Sequence, residues 1–405
     1  MTEALVVTGI GVVSAIGQGK RAFGEALLRG DGAFDIMQRP GRQRDSAFIG
    51  AEMGELALPD AIPRQLLRTA SLSTLAALAV LHEAWDESGL ADLAADRIGL
   101  VVGGSNLQQR ELVLTQDAYR DRAAFLRPSY GMTFMDTDLC GLCTSQFGIR
   151  GMAMTVGAAS ASGQMAIVQA AQAVRSGQVD ACIALGGLMD LSYWECRGFH
   201  AIGAMGGRRF ADRPGEACRP FDREHEGFIY GECSAALVIE SETRARSRGV
   251  APYATLAGWG VAMDANRNPD PSLEGEKRAI AEALGRAAWE ASVVDYVNPH
   301  GTGSVVGDET ELAALRESGL AGAWLNATKA LVGHGLTAAG AVEVAATLLQ
   351  MRAGALHPTR NLDDPIDPGM RWTGPAAVPH RIENALTLSM GFGGINTALC
   401  WQRPR

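Results

Sequence analysis

Short apolar runs that end in glycine alternate with longer stretches of helical periodicity along the chain. The run at 4–9 predicts a first strand, the amphipathic stretch near 65–88 a helix, and the run at 98–102, closed by Gly103 and Gly104, a second strand. A strand at 152–156, a helix at about 161–176, a strand at 181–185 before Gly186-Gly187 and a last run at 235–239 complete a first half. The cadence then recurs as a strand at 254–258, a helix near 272–290, a strand at 294–297, a helix around 335–352 and a strand at 385–390. Strands alternating with helices predict parallel pairing in sheets covered on both faces. The recurrence predicts an α/β fold of two pseudo-repeated halves, 1–248 and 249–405, divided in the polar stretch around 243–249.

Composition narrows the function classes. Glycine is the outlier, at 49 of 405 residues or about 12%, against a usual ~7%. The formal charge of 36 − 45 = −9 and the lack of a long basic run argue against a nucleic-acid partner. No apolar stretch is long enough to span a bilayer, and the first residues lack the positive flank of a signal peptide. Seven cysteines, an odd number lying mostly in apolar runs, read as buried thiols in a reducing cytoplasm. Only three of the 36 basic residues are lysines, so Lys329 stands out.

In open α/β sheets, sites gather where strand ends meet helix N-termini, which directs attention to 157–163, 298–308, 326–340 and 391–396. The first carries Gly157-Ala158-Ala159-Ser160-Ala161-Ser162-Gly163. Its small residues let a ligand approach a helix N-terminus, although Ser160 reads equally as an N-cap. It is not the Gly-x-Ser-x-Gly elbow of hydrolases, since Ala158 and Ser162 flank it. The second and third carry His300-Gly301-Thr302-Gly303 and Asn326-Ala327-Thr328-Lys329, then Gly333-His334 and Glu343. Two histidines beside Asp308 fall short of a zinc set, so no metal is expected. The fourth, Gly391-Phe392-Gly393-Gly394, offers backbone donors but has neither a Walker lysine nor dinucleotide spacing.

Taken together, these segments resemble the β-ketoacyl-ACP synthase (ketosynthase) family of the thiolase superfamily. The likeness runs from Val6-Val7-Thr8-Gly9-Ile10-Gly11 through Arg219-Pro220-Phe221-Asp222 and Gly227-Phe228-Ile229-Tyr230-Gly231-Glu232 to Gly391-Phe392-Gly393-Gly394-Ile395-Asn396. It implies a five-layered αβαβα thiolase-like fold, a homodimer, and acyl groups carried on the phosphopantetheine of an acyl carrier protein, with no other cofactor. By the same resemblance, His300 and His334 hydrogen-bond the thioester carbonyl of malonyl-ACP, and Lys329 and Glu343 hold the histidines. Phe392 contributes a backbone N–H to an oxyanion hole, Phe228 lines the malonyl pocket with Thr302 and Gly393, and Asp308 and Glu311 support the site. Arg64, Arg68, Arg208 and Arg209 match carrier-docking positions, or are ordinary solubilising arginines.

One departure decides the expected activity. The family nucleophile is a cysteine, whereas the frame here is Ala159-Ser160-Ala161-Ser162-Gly163. A serine hydroxyl needs an adjacent base where a thiolate does not. Transfer of a growing chain onto residue 160 should therefore be badly impaired, while decarboxylation, which needs no covalent intermediate, is spared. The chain resembles the Cys-to-Ser ketosynthases of polyketide β-branching cassettes, which make acetyl-ACP for a hydroxymethylglutaryl-CoA-synthase-like enzyme. Two other readings compete: a priming or acyl-transferring synthase acylated on Ser160, and a non-catalytic partner like a chain-length factor.

Overall fold

The computed structural model describes residues 3–404 apart from residue 69. Strand β1 (Leu5–Ser14) is buried along its whole length, as an unbroken apolar run must be when helices cover both faces of its sheet. With β2 (Ile98–Gly103), β3 (Ala153–Val156), β4 (Ala181–Gly186) and β5 (Cys233–Ser241) it forms a half-sheet ordered β1-β5-β4-β2-β3. The second half-sheet holds β6 (Ala254–Met263), β7 (Tyr296–Asn298), β8 (Trp324–Leu325), β9 (Asn384–Gly391) and β10 (Ile395–Gln402). Its order, β6-β10-β9-β7-β8, repeats that of the first. The halves join where β1 runs antiparallel to β6, from Leu5 opposite Leu256 to Val7 opposite Ala254.

Pairing is mixed, which corrects the expectation of parallel strands throughout. In each half the two pairings nearest the junction are antiparallel and the outer two parallel. The reason is visible at β9 and β10, where Gly391 pairs with Ile395 across a tight turn. A hairpin reverses the chain, whereas a parallel crossover needs about a dozen residues or more.

Eight helices matter for the site: α1 (Leu72–Ser88), α2 (Gln109–Tyr119), α3 (Thr137–Phe147), α4 (Ser162–Arg175), α5 (Tyr193–Ala201), α6 (Leu273–Ala287), α7 (Val305–Glu317) and α8 (Ala339–Ala353). α1 starts later than the periodicity suggests, because the Ser71 hydroxyl caps it by accepting from the Thr74 N–H and Arg64–Leu67 forms a separate turn. α1 covers one face of the first half-sheet, α4 and α8 lie between the half-sheets, and α6 and α7 cover the second. The result is the five-layered αβαβα thiolase-like fold.

The middle layer explains the small residues. A Cβ on Gly163 would lie 2.5 Å from the Ala341 nitrogen, so α4 and α8 approach closely only because that position is bare. Their contact brings the N-terminal ends of both helices to the strand ends where the functional segments gather. Among the described residues, no helix is long and apolar enough to cross a membrane.

Candidate active site

Ser160 sits in the short turn between β3 and α4, just after Ala159, whose φ of +45° is left-handed. Such strain in a non-glycine residue persists only where surrounding contacts enforce it. Here the Ser162 hydroxyl bridges the turn, donating to the Ala159 carbonyl at 2.7 Å and accepting from the Ala158 N–H at 2.9 Å. The N-cap reading of Ser160 therefore fails. Its hydroxyl is left to face the cavity, 3.0 Å from Nε2 of His334.

The direction of that bond follows from the other ring nitrogen. A neutral imidazole has one N–H and one lone pair. The Leu336 main-chain N–H donates to Nδ1 of His334 at 3.3 Å, so the proton is on Nε2 and His334 donates to the Ser160 oxygen. His300 is arranged in the same way. The Lys329 ammonium, which can only donate, lies 3.4 Å from Nδ1 of His300, leaving Nε2–H to face the cavity. The rings stand edge to face, with centroids 5.5 Å apart. Desolvation first, then the Lys329 charge, holds both imidazoles well below the usual histidine range, so both are neutral donors at physiological pH.

Lys329 is the hub. Its ammonium donates to the His300 carbonyl and to Oε1 of Glu343. Burial pushes the Glu343 carboxyl up to about 7 against the pull of Lys329. Glu311, on α7, accepts from the Gly301 N–H at 2.8 Å and from the His300 N–H at 2.5 Å. Asp308, one turn earlier, accepts from the N–H groups of Phe221, Thr302 and Gly303 at 2.6–3.2 Å. It also reaches the cavity wall. The Asp308 side chain is consumed in shaping the 300–303 loop, and it positions Thr302 from behind.

A cavity of about 350 Å³ is lined by Ser160, His300, His334, Phe228, Thr302 and Phe392, among others. All four segments singled out in the sequence reach it. The Phe228 ring packs edge-on against His334 at 5.2 Å, and Phe392 is 42% exposed at the wall. Gly393 stands apart from the wall. The lining takes Gly391, Phe392 and Gly394 from the β9–β10 turn but not Gly393, whose φ of +94° serves the turn itself.

The arginines are further from the chemistry. Arg64 and Arg68 are exposed. Arg209 is bound to Glu224 at 3.1 Å and Glu226 at 2.9 Å, and Arg208 donates to His200 at 3.0 Å. Arg209 is therefore ion-paired within the chain while remaining half exposed. None of the seven cysteines substitutes for the missing nucleophile, since each is a free, buried thiol. Burial raises those nearest the site, Cys218 and Cys233, to about 12.

Sequence reasoning missed Glu276 and Asp264, which also line the cavity. For Glu276 a signal existed: on α6 it falls in line with the buried Ile280, Ala283 and Leu284, a carboxyl where the helical period calls for an apolar residue.

The segment holding His334 depends on close backbone contact. A Cβ at Gly231 would stand 1.9 Å from the Val332 carbonyl oxygen and 2.8 Å from the Gly333 Cα. Gly231→Ala is expected to cost about 1–3 kcal/mol of stability and to cut activity more than its folded fraction explains, because the shift falls next to His334. Thermal unfolding and kcat measured on the folded protein check this.

Comparison with known proteins agrees with the geometry. Residues 2–245 match the β-ketoacyl synthase N-terminal domain and residues 253–363 the C-terminal domain. The chain is 58% identical over 398 residues to the Bacillus subtilis polyketide biosynthesis malonyl-ACP decarboxylase PksF, covering 98% of this chain and 96% of that one. It is 28% identical to 3-oxoacyl-(acyl-carrier-protein) synthase 2 of Coxiella burnetii, over 98% of both chains. A crystal structure of a β-ketoacyl synthase from Burkholderia phymatum superposes with a TM-score of 0.90 at 26% identity, over 100% of both chains.

Proposed function

Because the chain belongs to the β-ketoacyl synthase family, we propose from its altered nucleophile position that it decarboxylates malonyl-ACP to acetyl-ACP in polyketide biosynthesis. The single observation that carries this reading is the Ser160 hydroxyl accepting from the Nε2–H of His334. A histidine that donates to a hydroxyl is not its base, so Ser160 stays a neutral alcohol and takes no acyl chain. Its similarity to a named malonyl-ACP decarboxylase supports the same reading.

The chemistry follows from the two donors. As the bond between C2 and the malonyl carboxylate breaks, its electron pair moves into the thioester, CO2 leaves, and negative charge builds on the carbonyl oxygen. The Nε2–H groups of His300 and His334 stabilise that oxygen more as it becomes an enolate than in the ground state. Lys329 and Leu336 already fix which ring nitrogen carries the proton, so His334 has only to pass its N–H from the Ser160 oxygen to the thioester oxygen. Without a thioester on residue 160 as electrophile, the enolate takes a proton and becomes acetyl-ACP. Phe228 and Thr302, both in the cavity lining, serve in this reading as walls for the malonyl thioester.

The substrate makes an acyl carrier protein the partner, with no further cofactor needed. Exposed Arg64 and Arg68, with Arg208, supply positive charge for an acidic carrier on a protein of net charge −9. A cytoplasmic homodimer, feeding acetyl-ACP to a hydroxymethylglutaryl-CoA-synthase-like enzyme in β-branching, completes the proposal.

The test is the mass of the carrier. Incubated with malonyl-ACP, the protein is expected to shift the carrier to the acetyl mass, and Ser160→Ala is expected to do so within about threefold of the wild-type rate. An unchanged malonyl mass with wild type would end the proposal. An acyl adduct on the Ser160 peptide, lost with activity in Ser160→Ala, would favour the acyl-transferring synthase instead.

A further inference from the structure

A decarboxylase of this kind must return a proton to C2, a requirement that a condensing enzyme does not have. We propose that the carboxyl group of Glu276, on the first turn of α6, is the acid that supplies this proton. The inference rests on the decarboxylation reading and deepens it.

The geometry singles out one carboxyl. Glu276 lines the same cavity as Ser160, His300 and His334, yet is only 2% exposed. Its Oε2 is buried with no hydrogen-bond partner among the described residues. Of the other acids at that wall, Asp270 is exposed to solvent and the remaining three are occupied. Glu311 accepts from two main-chain N–H groups, and Asp308 from three. Asp264 accepts from the Asn396 amide at 3.0 Å and has Arg278 at 3.8 Å. Among the described residues, no group of acids, histidines and cysteines is arranged to hold a metal ion.

An unpartnered buried carboxylate is costly unless it takes up a proton. Burial, then the carboxylates of Glu311, Asp264 and Asp308, push the Glu276 carboxyl well above the usual carboxylate range. Burial without a partner therefore favours its protonated form, at the wall of a cavity in which a carbanion equivalent forms. The step balances. The enolate uses its electron pair to form a C2–H bond, the O–H bond of Glu276 breaks, and the carbonyl reforms as acetyl thioester. Glu276 is left as carboxylate and regains a proton from solvent once the product leaves. The two histidines are poorly suited to this task, because their N–H groups are engaged with the enolate oxygen.

The experiment uses the whole protein, malonyl-ACP and the nearly isosteric Glu276→Gln. Its kcat is expected to fall by about 10²-fold with KM little changed, the usual range for losing a general acid. A second readout separates proton delivery from structure. With malonyl-ACP labelled stereospecifically at C2 by deuterium, in tritiated water, wild type is expected to give acetyl-ACP with a methyl group of one configuration. Glu276→Gln should give a racemic methyl, since solvent then reaches both faces. Should the glutamine variant fail to fold, Glu276→Ala decides the question, with recovery of rate on adding acetate buffer expected. Wild-type kcat and a single methyl configuration in Glu276→Gln, a racemic methyl from wild type, or no acetate rescue of Glu276→Ala would each overturn the proposal. Failure of the wild type to release CO2 would instead remove the underlying decarboxylation reading.

Discussion

Replacing His334 with alanine is expected to lower kcat for acetyl-ACP formation by about 10²–10³-fold, which is ~2.7–4 kcal/mol of barrier, the usual loss for one oxyanion donor. His300→Ala should fall in the same range. Each ring offers an Nε2–H whose partner nitrogen is already saturated, His334 by the Leu336 N–H and His300 by the Lys329 ammonium. The donors act mainly on the charge that appears during C–C cleavage, so KM should change little. Steady-state CO2 release with saturating malonyl-ACP measures the effect. If either single variant kept wild-type kcat, stabilisation of the enolate by a pair of donors would be refuted. The double variant is expected to lose less than the product of the single losses, because the two groups share one oxygen.

Lys329→Met is expected to damage both stability and activity, by separable routes. The ammonium is 1% exposed and ion-paired with Glu343, itself 1% exposed. Removing one partner of a buried pair typically costs 3–5 kcal/mol, about which the stranded charge matters more than the lost attraction. Since burial already raises the Glu343 carboxyl to about 7, protonation absorbs part of that penalty, and the loss should lie near ~3 kcal/mol. Activity falls for a different reason. Without a donor at Nδ1, His300 is free to move its proton from Nε2 to Nδ1, and the ring then presents a lone pair to the enolate. Lys329→Met with Glu343→Gln should therefore regain much of the stability, read by thermal or denaturant unfolding, but not the kcat. Recovery of both together would show that Lys329 acts only through folding.

The 58% identity to a malonyl-ACP decarboxylase and the donor geometry are independent supports, one from the chain's relatives and one from hydrogen-bond direction. They meet at Ser160. A cysteine there would be a nucleophile at a helix N-terminus; the serine, pinned as an acceptor of His334, is a neutral wall of the same cavity.

The chain alone determined the alternation of strands and helices, the two halves, and the four segments that carry Ser160, His300, Lys329, His334 and Phe392. Burial imposes a local period, and glycine marks strand ends wherever a Cβ has no room, so both leave a trace in the order of residues. The start of α1, the antiparallel centre of each half-sheet and the outward place of Gly393 were decided by a cap, a hairpin and a turn. The ring protons were decided in three dimensions as well. Which nitrogen of His300 or His334 carries the hydrogen depends on a lysine 29 residues away and on a main-chain N–H in a particular turn, and neither has a periodic signature. The same holds for Glu276. Its place on an apolar stripe could be read from the helix, but its lack of a partner exists only once Glu311, Asp308 and Asp264 have been packed around it and bound elsewhere.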